Sequence, residues 1–249
     1  MQLDEYRKMY ALEENFWWYR GMLRITKEIL GQYLQPGSDI RILDAGCGTG
    51  KMLQELDHYT NRPAVGFDFS SEAMKFLKVR GLVNMLQAST TEIPFKSGTF
   101  DLVTSFEVLC QLPGEGDLKA LQEFHRVLKP AGKIYVRLPA YQWMYASHDR
   151  HQLTFHRYRR PDLIAKVEQA GFCILKASYA NFFLFPALAF KRLVLERLGI
   201  LSDSSDLRPV PPGLNEILEI SLAIESRLLR FSSFRFPCGL SLVCLAEKK

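Results

Sequence analysis

The sequence predicts an α/β protein with a doubly wound, mostly parallel β-sheet that has helices on both faces. Between residues 39 and 181, short apolar runs alternate with segments that show helical spacing. The runs are apolar almost throughout rather than at every second residue, which is typical of strands buried on both faces of a sheet. In such sheets, ligands bind at the carboxyl ends of the strands, near the point where the strand order reverses.

Seven segments carry the strand pattern. Each is a short run dominated by apolar residues and bounded by a helical pattern or a turn. The first two, DIRILDAG and AVGFDFS, each carry an aspartate near the carboxyl end, Asp44 and Asp68. The predicted strands span 39–46, 64–70, 82–89, 99–109, 133–140, 172–180 and 239–247.

Helical spacing of apolar residues separates the first six strands, and particular residues mark several helix ends. Ser71 opens one helix and Gly81 closes it. In another helix, Pro161 lies in the first turn and Gly171 just beyond the end. The helix before the fifth strand is predicted to stop at Lys129, ahead of a proline. These helices span 50–59, 71–81, 118–129 and 161–171.

Two segments fall outside this alternation. The first precedes the first strand and contains the aromatic stretch ENFWWYRGM. The second separates the sixth strand from the last, and two stretches with helical spacing in it flank the polar, proline-rich connector SDSSDLRPVPPG. We predict one domain over 1–249, with an N-terminal helical lid at 1–38, a cofactor-binding core at 39–181, a helical cap insertion at 182–231 and the last strand within 232–249.

Composition excludes several classes of protein. Hydrophobic residues make up 47% and charged residues 24%, as in ordinary globular proteins. The net charge of +5 is too mild to predict nucleic-acid binding. Five scattered cysteines, with no CxxC pair, favour neither a disulfide framework nor a zinc site. The N-terminal residues do not resemble a secretory signal, and the longest apolar run is too short to span a bilayer. We expect a cytoplasmic protein.

The segment RILDAGCGTG, at 41–50, places a glycine turn directly after the first strand. Its spacing is Asp-x-Gly-x-Gly-x-Gly, so it lacks the third glycine of the dinucleotide fingerprint, where Lys51 stands, and it lacks the P-loop pattern. At ~4 Å and an effective dielectric constant near 20, Asp44 would repel a pyrophosphate by roughly 4 kcal/mol. The same carboxylate attracts a cation. Asp68, at the end of the second strand, can accept hydrogen bonds from both ribose hydroxyls. The pair predicts a cationic nucleoside cofactor, S-adenosylmethionine.

These segments resemble the class I S-adenosylmethionine-dependent methyltransferases. ILDAGCGTG is similar to their first motif, VGFDFS to their ribose-binding acid, and IPFKSGTFDLVTSFEVL and EFHRVLKPAGKIYV to their fourth-strand region and the turn before the fifth strand. The flanks FWWYRG, LPAYQWMYASHD, HRYRRPDL and FPCGLSLVCLAEK resemble a bacterial methyltransferase-11/12-like subgroup. The resemblance implies a Rossmann-like sheet of seven strands, with the last antiparallel and the insertion between the sixth and seventh.

The resemblance also implies roles for residues of the cofactor site. Asp44 would lie near the methionine ammonium, Asp68 would bind ribose, Phe69 would pack on adenine, and Glu107 would line the methionine side. The aromatic stretch before Arg20 has two interpretations: a lid, whose aromatic side chains shield the sulfonium while Arg20 meets the cofactor carboxylate, or a helix that packs in the core. The implied cofactor-binding residues are Tyr19, Arg20, Asp44, Gly46, Cys47, Gly48, Gly50, Asp68, Phe69, Ser89, Thr90 and Glu107. The chain departs from the family pattern where Ser89 replaces an acid and Gln111 a histidine.

The basic segment HDRHQLTFHRYRR, at 148–160, is a candidate wall of the acceptor pocket. His148, His151 or His156 could remove a proton from an acceptor hydroxyl or amine, since histidine titrates near neutral pH. The alternative is a loop held by ion pairs between Asp149 and nearby arginines. No metal site is predicted. The candidate substrate-binding residues are Trp18, Tyr141, Arg157 and Tyr158.

These features predict methyl transfer to a partly apolar small molecule, at oxygen or nitrogen rather than carbon. The cap helices could pack on the core, line the substrate pocket or lie on a membrane, since Lys191, Arg192 and Arg197 follow an aromatic apolar stretch. Two alternatives therefore remain open. One is methylation of a lipid-linked or quinone-like acceptor at the membrane surface, and the other is a non-catalytic protein that binds S-adenosylmethionine. The sequence identifies neither the acceptor nor the oligomeric state.

Overall fold

The computed structural model describes residues 2–195 and 209–249. The strands are β1 Ile42–Ala45, β2 Val65–Asp68, β3 Met85–Gln87, β4 Phe100–Phe106, β5 Leu128–Pro139, β6 Phe172–Ala180 and β7 Ser241–Lys248. The α-helices are α1 Leu3–Leu12, α2 Trp17–Leu30, α3 Lys51–Leu56, α4 Ser71–Val79, α5 Gly116–Val127, α6 Ser147–His151, α7 Arg160–Gln169, α8 Phe185–Phe190 and α9 Pro212–Leu229.

The strands form one seven-stranded sheet in the order β3-β2-β1-β4-β5-β7-β6. All neighbouring pairs are parallel except those of β7, which runs antiparallel to both β5 and β6. The predicted doubly wound sheet, with an antiparallel last strand, is therefore confirmed. The order reverses between β1 and β4, so the carboxyl ends of these two strands flank the crevice in which such sheets bind ligands.

The boundary between α5 and β5 differs from the prediction, and one short helix was not predicted. The helix expected to end at Lys129 ends at Val127, and β5 begins at Leu128, because Leu128 already pairs with Phe100. The short helix α6, at Ser147–His151, was not predicted, because one and a half turns are too few to show a helical period.

The N-terminal lid and the insertion pack against each other. Met22 and Ile25 on α2 are buried, and Gly21 approaches α9 so closely that a Cβ there would lie 2.2 Å from Leu222 Cδ1. At the other end of α9, Lys176 Nζ on β6 donates hydrogen bonds to the backbone oxygens of Leu229 (2.6 Å) and Phe231 (2.8 Å). The amine thus satisfies carbonyls that a helix end leaves without partners and fixes α9 to the sheet.

The second helix that the sequence predicts for the insertion is α9. Within the described part of the first predicted helix, the chain forms α8 and a π-helical turn at Lys191–Leu195. The rest of the predicted first helix, including Arg197, and most of the connector lie outside the described residues.

Candidate functional site

A cavity of about 740 Å³ lies at the carboxyl ends of β1, β2 and β4. Its wall combines the lid, the ends of the strands, the loop after β5 and the insertion. The residues predicted for the site that line this cavity are Trp18, Tyr19, Asp44, Gly46, Cys47, Gly48, Asp68, Phe69, Ser89, Thr90, Glu107, His148 and Arg157. Arg20, Gly50, Tyr141, His151, His156 and Tyr158 are not among the residues of the wall.

The glycine turn follows β1, and side chains are disfavoured at the two of its glycines that line the cavity. Gly46 and Gly48 have φ values of 82° and 55°, which L side chains rarely adopt. A Cβ would lie 2.3 Å from Val108 Cγ2 at Gly46 and 2.8 Å from Met9 Cε at Gly48. Gly50 was predicted to approach the cofactor, but a Cβ there would meet Leu77 and Leu82, so this glycine permits the turn to pack against α4 instead.

We expect Gly46→Ala to lower both the melting temperature and the affinity for a ligand of this turn, the latter more than tenfold. The new methyl group would combine left-handed backbone strain, worth about 1–2 kcal/mol, with overpacking against Val108. Gly114→Ala is the matched control, because Gly114 has a φ of 58° and a methyl group there would have nothing within 4 Å. The control variant should have a lower melting temperature, because of the same backbone strain, but an unchanged ligand affinity in calorimetry. Equal affinity losses in both variants would contradict the role of the close contact.

Asp44 carries a buried carboxylate with one oxygen free. Thr104 Oγ1 donates a hydrogen bond to Oδ1 at 2.8 Å, whereas no described residue donates to Oδ2. Burial raises the pKa of Asp44 to about 7. A buried acceptor without a partner is costly, so this end of the cavity favours a ligand that brings a donor, above all a cationic one.

Asp68 accepts three hydrogen bonds. The backbone N–H of Gly48 donates to Oδ2 at 2.9 Å, and Oδ1 accepts from the backbone N–H of Ser70 (2.9 Å) and from Tyr6 Oη (3.0 Å). A carboxylate offers about four lone-pair sites, so about one remains. Burial and the charge of Asp68 raise the pKa of Tyr6, which keeps its hydroxyl a donor. Tyr6 was not predicted for the site, because nothing in the local sequence marks a tyrosine of α1 as a neighbour of β2.

Glu107 lies just beyond β4 with a φ of 59°. Burial raises its pKa, while Arg137, whose Nε donates to Oε1 at 3.0 Å, opposes that rise. The Arg137 guanidinium lies 4.8 Å from the centroid of the Trp18 ring and 4.9 Å from that of Phe106. Arg137 thus joins a lid tryptophan to two residues at the end of β4. Arg137 was not predicted for the site either, since it lies inside an ordinary strand pattern.

A buried ion pair fixes the lid to the glycine turn. Thr49 Oγ1 donates to both carboxylate oxygens of Glu13, at 2.8 and 2.7 Å, and Arg80 pairs with the same carboxylate. Arg80 also donates from Nε to the backbone oxygen of Thr49 at 2.8 Å. The Arg80 and Glu13 side chains are 8% and 4% exposed, so the pair is shielded from water. The segment between α1 and α2 is therefore bound directly to the cofactor-side loop.

The structure contradicts the predicted role of Arg20. Its Nε lies 3.2 Å from Glu219 Oε2 on α9, and Arg24 pairs with the same carboxylate at 3.3 Å. Arg20 and Arg24 are four residues apart, so they share one face of α2, and that face is turned toward α9 rather than toward the cavity.

The loop after β5 contributes His148 and Arg157 to the cavity wall. Arg157 Nε donates to Asp149 Oδ1 at 2.7 Å, and Oδ2 of that carboxylate accepts from the backbone N–H of Ala146 at 2.8 Å. The ion pair that the sequence offers as an alternative is thus present, and it holds Arg157 at the wall. From the insertion, Leu188, Lys191, Arg192, Val210 and Leu218 line the same cavity.

The remaining candidates of this loop have structural contacts instead. Tyr158 Oη donates to Asp117 Oδ2 at 2.8 Å, Lys166 Nζ lies 2.6 Å from that oxygen, and His156 Nε2 is 3.2 Å from it. Asp117 is fully buried, so this cluster ties the loop to α5 and α7. The ring of Tyr141 stacks on that of Tyr179 with centroids 5.1 Å apart, and His151 Nδ1 lies 2.8 Å from the backbone oxygen of Ser147.

No group of three or more histidine, cysteine or acidic side chains suited to a metal ion occurs within residues 2–195 and 209–249.

Comparison with known proteins places residues 43–136 in a methyltransferase domain family. The chain is 27% identical over 241 residues to 24-methylenesterol C-methyltransferase 2 of Oryza sativa subsp. japonica, which covers 85% of this chain and 64% of that protein. It is 34% identical over 126 residues to the ubiquinone/menaquinone biosynthesis C-methyltransferase UbiE of Syntrophotalea carbinolica, covering 45% of this chain and 52% of that one. The chain thus spans less than two thirds of the length of these curated relatives.

A solved structure shares the fold over nearly the whole chain. It is that of an S-adenosylmethionine-dependent methyltransferase from Thermotoga maritima, described as a possible histamine N-methyltransferase, with a TM-score of 0.59, 99% of this chain covered and 96% of that chain. At 16% identity, this similarity supports only the assignment of the fold.

Proposed function

Because this chain belongs to the class I S-adenosylmethionine-dependent methyltransferases, we propose that it transfers a methyl group from S-adenosylmethionine to a partly apolar small molecule. The observation that carries this proposal is the buried Asp44 carboxylate, whose Oδ2 has no donor among the described residues and lies beside a glycine turn in which side chains are disfavoured. A pyrophosphate would place negative charge there, whereas the methionine ammonium supplies both a donor and a positive charge.

The residues of the cavity suit the remaining parts of this cofactor. Asp68 would accept hydrogen bonds from both ribose hydroxyls. Because its carboxylate has about one lone-pair site left, one of its three present donors would have to be displaced. Of these three donors, Tyr6 is the one that belongs to the lid, so we expect the ribose to displace the Tyr6 hydroxyl. Phe69, 77% exposed at the end of β2, would pack on adenine, and Ser89 and Thr90 would lie at the same end. When bound, S-adenosylmethionine supplies a methyl group attached to a positively charged sulfur. After the transfer, this sulfur is the neutral thioether of the leaving group.

The chain's own residues would orient the acceptor and exclude water. Glu107 and Arg137, with Trp18 stacked on the guanidinium, would then separate the cofactor from the acceptor. Among the three candidate bases, His148 alone lines the cavity, so we assign it the removal of a proton from an acceptor hydroxyl or amine. Arg157 would bind a polar or acidic group of the acceptor.

A lipid-linked or quinone-like acceptor is a second candidate. Its support is the apolar side chains Leu188, Val210 and Leu218, which the insertion adds to the acceptor side of the cavity. The names of the sterol and quinone methyltransferase relatives agree with a large apolar acceptor methylated at carbon. A base that ionises an aromatic hydroxyl serves methylation of that oxygen and of the neighbouring ring carbon alike, so His148 has the same assignment in both candidates.

Calorimetric titration with S-adenosylmethionine, S-adenosylhomocysteine and NAD tests the proposal. We expect the first two to bind and to raise the melting temperature, and NAD to do neither. Tight NAD binding, or no binding of either sulfur nucleoside, would overturn the proposal. Binding without methyl transfer to any member of a panel of phenols, amines and short-chain quinols would favour the non-catalytic alternative.

His148→Gln should lower kcat about 10²- to 10⁴-fold on an acceptor found in that panel, because glutamine cannot take up the proton. The acidic limb of the pH–rate profile should disappear, since an imidazole that must accept a proton acts only in its neutral form. His151→Gln is the matched control, because this side chain lies outside the cavity wall. An unchanged pH profile in His148→Gln would rule out the assignment.

A further inference from the structure

Helix α9 presents apolar side chains on two faces. Its inner face is buried, with Leu222 and Leu229 in the core. On its outer face, Leu214, Ile217, Ile220 and Ile224 are 45%, 66%, 59% and 46% exposed. Spacings of three, three and four residues place these four side chains on a single side of a helix. We call this set the outer stripe.

The outer stripe is part of a wider concentration of exposed apolar groups in the insertion. Phe231, 63% exposed, follows the stripe just beyond the end of α9. Phe183, Phe190 and Leu193 are also exposed. A helix with this much aliphatic surface in water is unfavourable without an apolar partner, and exposed apolar surface of this kind marks interaction sites.

Positive charge lies at the C-terminal end of the stripe. Arg227 and Arg235 are exposed there, whereas Arg230 faces α2, with its Nε 3.9 Å from Glu28 Oε2. Within α9 itself, the one exposed acid is Glu216, near the other end. Aliphatic side chains beside arginines match an anionic lipid surface, in which apolar groups enter the headgroup region and guanidinium groups meet phosphates.

The inner side of the same helix reaches the cavity. Leu218, between two members of the outer stripe in sequence, lines the cavity wall together with Leu188 of α8. A bilayer against the stripe would therefore lie directly outside a wall of the acceptor side. A second copy of the chain fits less well, because one stripe of four aliphatic side chains offers less than the roughly 1,200 Å² that stable protein interfaces bury.

We propose that the outer face of α9 docks on an anionic lipid bilayer, with the outer stripe at headgroup depth and the arginines at its C-terminal end on lipid phosphates. None of the helices within the described ranges is long and apolar enough to cross the bilayer, so the contact is peripheral. The inference extends the lipid-acceptor form of the proposed function. Docking is measured without cofactor or acceptor, so its failure would leave methyl transfer standing.

The test is co-sedimentation with vesicles of phosphatidylcholine alone and of phosphatidylcholine with phosphatidylglycerol. We expect the protein to partition onto the anionic vesicles at least tenfold more strongly, and 0.5 M salt to reduce that binding. The triple variant Ile217→Gln, Ile220→Gln and Ile224→Gln should lose more than tenfold in partitioning. The matched control is Val79→Gln with Val83→Gln, since these valines are 70% and 83% exposed elsewhere, and it should bind as the unmodified protein does.

Circular dichroism and thermal melting check that the triple variant is folded, and Arg227→Gln with Arg235→Gln provides an independent variant that leaves the stripe intact. The latter should lower binding to anionic vesicles only. Protein that stays in the supernatant with both vesicle types would overturn the proposal, as would equal binding by the triple variant. A dimer that the triple variant converts to monomer, without vesicle binding, would assign the stripe to a second copy and equally refute docking on lipid.

Discussion

Asp44→Asn lowers the affinity for S-adenosylmethionine about 10- to 150-fold, as expected if the carboxylate makes a charge-assisted hydrogen bond to the ammonium worth about 1.5–3 kcal/mol. Asparagine keeps the size of the side chain and can still accept the hydrogen bond from Thr104, so the change is confined to the charge and to Oδ2. Calorimetric titration at pH 7.5 measures the loss.

The same variant removes a pH dependence. The pKa of Asp44 is raised to about 7 in the unliganded protein, whereas a bound ammonium favours the ionised form. Between pH 5.5 and 7 the carboxylate must therefore release a proton on binding, and the affinity should fall toward acid by up to tenfold per pH unit. In Asp44→Asn this slope should vanish. Proton release can be measured by titration in buffers of different ionisation enthalpy.

Stability provides the control. A carboxyl whose folded-state pKa lies above its unfolded value destabilises the fold once it is ionised, so the contribution of Asp44 becomes unfavourable as the pH rises from about 4 to 7. We therefore expect unliganded Asp44→Asn to melt at pH 8 no lower than the unmodified protein. A variant that is equally stable and binds the cofactor with unchanged affinity and pH slope would refute the assignment of Asp44 to the ammonium.

The second large effect concerns the lid. Arg80→Ala should lower stability by about 3–5 kcal/mol, because it leaves the buried Glu13 carboxylate without its cation. For a chain of this size, the loss corresponds to a fall of about 6–20 °C in melting temperature. Residues 2–16 should also loosen from the glycine turn, since Arg80 bonds both Glu13 and the backbone of Thr49. Limited trypsin digestion at Arg7 and Lys8 reports that loosening directly.

Arg62→Ala is the matched control for the loss of an arginine ion pair. Arg62 pairs with Asp39, but both side chains are more than half exposed, so solvent already screens this pair. The control should melt as the unmodified protein does, with its N-terminal segment equally resistant to trypsin. If Arg80→Ala shared both properties, the ion pair would not be what holds the lid.

Much of the site could be predicted because it lies at strand ends. Asp44 and Asp68 follow from buried strands whose ends are visible as breaks in apolar runs, and parallel strands bring those ends to one edge of the sheet. The glycine spacing after β1 similarly indicates a turn that must approach its neighbours closely, and two of its three glycines do so at the cavity. The assignments of these residues to parts of the cofactor stay predictions.

The positions of side chains on helices and loops were predicted less accurately. Arg20 precedes its partner Glu219 by nearly two hundred residues, and no local pattern indicates which face of α2 meets α9. His156 and Tyr158 looked like pocket residues because they lie in a basic loop, yet Asp117 on a distant helix draws both into a buried cluster. Tyr6 and Arg137 carried no signal, although both line the cavity.

The sequence by itself determined the sheet, the glycine turn and the two strand-end carboxylates, because the periods of buried strands and helices are local properties of the chain. The tertiary structure alone decided which lid and loop side chains face the cavity and that α9 keeps an exposed aliphatic side. The physical reason is that the partner of a side chain depends on how elements distant in sequence pack together. A buried charged side chain is stabilised where this packing places an opposite charge beside it.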